Sequence, residues 1–132
     1  MRVASAVLLM ATLQMSGCAG VGAAESGAAD LCEIMRAPDA MRGRSVQVSA
    51  FMVRSFEFSA IEDVRCPGSA FPISLGEVAN EGGFTDAWWR SNVDSNVRLQ
   101  VNVEGTVLGP DQATPYWRLE IRSMDSYELV VE

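Results

Sequence analysis

Two stretches of the chain alternate apolar and polar residues with a period of two. Val46, Val48, Ala50 and Met52 interleave with Gln47, Ser49 and Phe51, and Val97, Leu99, Val101 and Val103 interleave with Arg98, Gln100, Asn102 and Glu104. That period puts one set of side chains on a core and the other in solvent, so both stretches predict half-buried strands. Ala60-Ile61-Glu62-Asp63 and Phe71 to Leu75 predict two short strands on either side of Cys66-Pro67-Gly68. Gly105 interrupts the fourth strand ahead of Thr106-Val107-Leu108 and marks a bulge or bend. Trp117, Leu119 and Ile121 predict the inward side of a fifth strand, which Glu128 to Val131 continues.

Helical signals are short. Asp30-Leu31-Cys32-Glu33 has capping-box spacing, and Leu31, Ile34 and Met35 share one helical face behind it. Pro38 ends that turn, because the residue before a proline avoids the helical region, and Gly43 punctuates the entry to the first strand. Between Gly76 and Asn96 the pattern is least strand-like, and a short helix capped by Thr85 or Asp86 fits there.

Five strands with helical material between the third and fourth have the order of an OB-fold barrel, a small five-stranded closed sheet. The expected fold is therefore mainly β: an OB-like barrel preceded by a short helix, spanning 30–132. Another small barrel or an open α+β sheet is the alternative. More closely, the domain resembles a loose group of uncharacterised bacterial secreted or lipoprotein domains. The likeness is carried by Cys32 in a short helix, Gly43-Arg44-Ser45-Val46 at a strand start, and Asp63-Val64-Arg65-Cys66-Pro67. That group lends no activity.

The amino-terminal segment has a different character. Met1-Arg2 precedes an apolar run from Val3 to Met15, broken by Ser5, Thr12 and Gln14. It falls short of the roughly 20 residues a bilayer span needs and reads as a secretory signal. Met15-Ser16-Gly17-Cys18 resembles the lipobox of bacterial lipoproteins, with Met15 where leucine is commonest. The resemblance implies a signal peptide over 1–17 and lipid on Cys18. Of the 132 residues, 115 would remain, with a charge of −8 because Arg2 is the charged residue lost. Ala19, rather than Asp, then favours the outer membrane, facing the periplasm. The competing reading is ordinary cleavage near Val21-Gly22-Ala23 or Gly22-Ala23-Ala24, releasing the protein. Residues 18–29, rich in Gly, Ala and Ser, read as a flexible tether.

Three cysteines are an odd number for an exported protein. With Cys18 assigned to lipid, Cys32 and Cys66 remain as a pair, and in an oxidising compartment they most simply form a disulfide. Composition narrows the chemistry further. The ten basic residues are all arginine, there is no histidine, and the net charge is −7. A histidine base, a Schiff-base lysine and a histidine-ligated metal are therefore absent, and phosphate-backbone binding is disfavoured.

Candidate sites are few. Trp88-Trp89, near Phe84, offers an aromatic platform for a sugar or peptide. Adjacent helical residues cannot both face one core, so one ring is expected in solvent; core packing is the blander use. Tyr116 is expected outward beside an inward Trp117, in the loop joining the last two strands. Glu57, Glu62 and Asp63 are the carboxylates a glycosidase-like hydrolase would need, against the simpler reading of a solvated acidic face. Ser91 to Asn96 strings oxygen ligands together but lacks the glycine and terminal glutamate of a calcium loop, so no metal or cofactor is expected. The expected function is a non-catalytic, membrane-anchored binding module meeting an envelope protein or small ligand. A carboxylate hydrolase is the alternative, and a nucleic-acid-binding OB domain is disfavoured by the acidity.

Overall fold

The computed structural model describes residues 27–54 and 59–132. Its elements are β1 (Gly27–Ala28), α1 (Leu31–Arg36), α2 (Pro38–Met41), β2 (Ser45–Arg54), β3 (Ser59–Glu62), β4 (Phe71–Ser74), a 3-10 turn (Gly76–Asn80), α3 (Gly82–Val93), β5 (Val97–Leu108) and β6 (Arg118–Val131). The sheet runs β1-β2-β3-β4-β6-β5, and a further pairing of β2 with β5 closes it. Setting β1 aside, five strands form a closed barrel in OB order, with β4 and β6 its parallel neighbours.

Alternation fills the interior. Val46, Val48, Ala50 and Met52 of β2 point inward with Leu99, Val101, Val103 and Val107 of β5 and Leu119 and Ile121 of β6. Leu31 and Ile34 of α1 and Phe84 and Ala87 of α3 complete this cluster from the helices. Each fully buried aliphatic side chain contributes about 1.5–3 kcal/mol. The short elements therefore hold by packing, since four- and six-residue helices are not stable alone.

Several boundaries differ from the sequence reading. Asp30 does cap α1, its Oδ1 accepting from the Cys32 amide at 2.8 Å. Pro38, however, opens α2 as well as following the end of α1. Helix α3 begins at Gly82, ahead of Thr85 and Asp86, with Glu81 at its N-cap and no side-chain cap. Thr85 instead donates its hydroxyl to the Ala79 and Glu81 carbonyls. At Gly83 the first turn of this helix meets β6 closely: a Cβ there would lie 2.5 Å from the Tyr127 hydroxyl, so a larger residue would have to push that ring aside. Tyr127 in turn meets Phe84 edge-on at 5.9 Å.

Strand β6 is continuous, and Trp117 lies just before it, half-buried and packed against the core. Arg42 covers its ring at 4.7 Å. The irregularity expected at Gly105 is real but lies across the ladder. Asn102 pairs with Ser126 and Val103 with Met124, so Asp125 is an extra residue; Arg122 is a second, opposite Glu104 and Gly105. Gly105 itself is required by close approach, since a Cβ would stand 2.5 Å from the Glu120 carbonyl oxygen and 2.9 Å from Leu119 Cγ. Residues 27–29, read as the end of the tether, are placed: β1 pairs parallel to β2, and the Ala29 amide donates to the Gln47 carbonyl at 2.9 Å.

Cys32 and Cys66 form a disulfide, their Cα atoms 5.8 Å apart. It joins α1 to the β3–β4 connection.

Two stability outcomes follow. Gly105→Ala is expected to cost about 1–3 kcal/mol in urea unfolding, because the β5–β6 ladder must part to admit a methyl group. The double variant Cys32→Ala/Cys66→Ala is expected to lose about 2–4 kcal/mol, the usual worth of a disulfide closing a loop of this length. An unchanged denaturation midpoint in either variant refutes the corresponding account.

Candidate functional site

A cluster of charged side chains surrounds the disulfide. Asp63 follows β3 and is 7% exposed. Its carboxylate accepts the Arg65 backbone amide at 2.9 Å and the Arg65 Nε at 3.0 and 3.1 Å on its two oxygens. The same guanidinium reaches Asp30 Oδ2 at 3.1 Å. Asp30 therefore caps α1 and receives Arg65, while Cys32 in the first turn of α1 is bonded to Cys66, the residue after Arg65. The short pattern Asp63-Val64-Arg65-Cys66 closes a loop of contacts onto Asp30 and Cys32. One covalent and one ionic link join the same two segments.

Ligating atoms of Asp30, Cys32 and Asp63 lie within 4.8 Å of one another, a spacing a cation could use. The cation already there is Arg65, and the Cys32 sulfur is spent in the disulfide. Hydrogen bonds from Arg65 hold the Asp63 carboxyl below the usual carboxylate range, against the opposing effect of its burial. A carboxylate kept ionised in this way is the reverse of a general acid. Glu62 is paired with Arg98, which also reaches Glu132 at 3.3 Å. The two described carboxylates of the hydrolase reading are thus each neutralised by an arginine. Glu57 lies outside the described residues.

The aromatic candidates are separated by the fold. Trp88 is half-buried and packs on the core, whereas Trp89 is 64% exposed, beside an equally exposed Val93 one turn on. Tyr116 is 40% exposed, at the end of the loop over 109–117. That loop is pinned. Asp111 Oδ1 accepts the amides of Ala113 and Thr114 at 2.9 and 2.7 Å, and its Oδ2 accepts from Arg118 at 3.1 Å. The backbone bond from Thr114, with Arg118, holds the Asp111 carboxyl low. Ser91 and Asn92 both donate to the Trp88 carbonyl, and Asp94 accepts the Asn96 amide, so this stretch finishes a helix. Cys18 and the rest of the lipobox lie outside the described residues.

No family model, curated protein or solved structure matches this chain. Function has to be read from the side chains themselves.

One surface was not singled out by the sequence. The outward residues of β2, β5 and β6 pair in register as Gln47–Glu104–Ser123, Ser49–Asn102–Ser126 and Phe51–Gln100–Glu128. In the middle row Ser49 Oγ donates to Asn102 Oδ1 at 2.6 Å, and Asn102 Nδ2 donates to Ser126 Oγ at 2.7 Å. Sequence alone shows only that such residues are polar. Their alignment depends on the bulge in β6, which no composition signal announces.

Acid should act through the two depressed carboxylates. For both, the contribution to stability is whole above about pH 4 and lost as pH falls through the lowered values. Arg65→Gln is expected to lower the melting temperature at pH 7 by several degrees and to flatten the further loss on acidification. An acid limb identical to the wild type would show that Asp63 draws nothing from Arg65.

Proposed function

We propose that the chain is a non-catalytic binding module of the bacterial envelope, tethered through lipid on Cys18 to the outer membrane and facing the periplasm. The Cys32–Cys66 disulfide carries this reading. Such bonds persist in oxidising compartments, and this one accounts for two of three cysteines, leaving Cys18 as the odd thiol behind a short apolar leader. Binding rather than catalysis is supported by the state of the acids. Asp63 is ionised and clamped, Glu62 is paired, and the chain contains no histidine or lysine to act as a base or amine nucleophile. The net charge of −7 argues against a nucleic-acid partner and leaves an envelope protein or a small ligand.

Intact mass of the membrane-extracted protein tests the reading. The expected species has lost its first 17 residues, carries acyl additions on Cys18, and gains the mass of two hydrogen atoms on reduction. A full-length, acyl-free, already reduced chain overturns it.

A further inference from the structure

We infer that the outer face of β2, β5 and β6 binds a neutral oligosaccharide, with Asn102 at the centre of the site. This rests on the reading of the chain as a binding module and names its ligand. Two hollows lie on this face, of about 250 and 280 Å³, and both are lined by Asn102. The first runs from Ala28 and Ala29 across Gln47, Ser49 and Asn102 to Asp125. The second adds Gln100, Ser126, Tyr127 and Glu128.

A plain barrel face is convex, and two features account for the depression. Ala28 of β1 and Ala29 just after it form a wall beyond β2, and the bulge in β6 leaves Asp125 unpaired in the ladder at the opposite end. Bulges commonly re-aim a side chain in this way. Between them the row Ser49–Asn102–Ser126 crosses three strands, each about 4.8 Å from the next. Its hydrogen bonds fix the Asn102 amide orientation, with Nδ2 toward Ser126 and Oδ1 toward Ser49.

The chemistry selects the occupant. Amides and hydroxyls both donate and accept, and carboxylates accept, which suits a chain of sugar hydroxyls that do both. Among the described residues no arginine lines either hollow, while Asp125 and Glu128 do, so a phosphate, sulfate or nucleic acid is repelled. Arg98, further along β5, is taken up by Glu62 and Glu132 and lies over Phe51 at 4.1 Å. Strand addition by a peptide has no opening at the centre, because β5 is paired on both edges from Gln100 to Thr106. Tyr127 borders the second hollow, but its ring turns to the other side of the sheet, edge-on to Phe84, so polar groups do the recognising. The exposed Trp89 is not part of this surface.

The test uses the full chain, extracted in a zwitterionic, sugar-free detergent and titrated calorimetrically with cellohexaose, chitohexaose and maltohexaose. Saturable binding of at least one of the three is expected. Asn102→Ala and Ser126→Ala should each weaken it about tenfold, the worth of one or two hydrogen bonds. Glu77→Gln, on the exposed 3-10 turn outside both hollows, should leave it unchanged, and polyanionic heparin should not compete. Circular dichroism of each variant controls for folding. No saturation by any of the three sugars, binding indifferent to both substitutions, or displacement by heparin each overturns the assignment. Since the mass measurement reads processing and oxidation independently, a correctly acylated, oxidised chain that ignores all three sugars removes this inference and leaves the tether reading standing.

Discussion

A five-strand sheet can close only if each strand finds a partner on both sides, and in this protein closure depends on β5. Over Gln100 to Thr106 its backbone is shared between β2 and β6. Its inward residues Leu99, Val101, Val103 and Val107 are each at most 1% exposed. The strand can serve both neighbours because Gly105 lets the β6 backbone approach to a distance no side chain would permit. Two extra residues on β6, Arg122 and Asp125, absorb the mismatch between that approach and the curvature of the barrel. The packed interior and the row of polar groups outside are two faces of the same registration.

What could be read from the residues in order depended on whether a side chain reported the backbone's position. The alternation is unbroken through β2 and, in β5, from Val97 to Glu104, so period alone reveals both strands. Residues Arg122 to Tyr127 do not alternate, because each bulge shifts the phase, and the middle of β6 gave no strand signal. Strand β1 could not be anticipated: its pairing uses the backbone of a glycine and an alanine and leaves no trace in side-chain pattern. Trp117, inward by parity, packs against the core although it lies before the strand begins, and Arg42 covers its ring.

The functional surface was less legible than the fold for a related reason. Asp63 looked like an exposed acid beside Glu62, but whether a carboxylate is free or clamped depends on a guanidinium two residues away folding back onto it. Aromatic residues drew attention as platforms, and the fold separated them: Trp88 packs on the core, Trp89 points to solvent, and Tyr116 sits on a loop braced by Asp111. The Ser49–Asn102–Ser126 row consists of ordinary polar residues from three distant strands. Nothing in any one of them distinguishes it; the arrangement is entirely a product of register.

The covalent bond near the start of the domain also has a mechanical meaning. Tension arriving from the N-terminal side first meets β1, whose two-residue pairing with β2 can peel away, and then reaches Cys32. There the force divides from the main chain and crosses the sulfur atoms to Cys66, bypassing everything between. Strands β2 and β3 lie wholly within the shielded segment, so a pull from the N-terminal side can strip a few leading residues without drawing either strand out of the barrel.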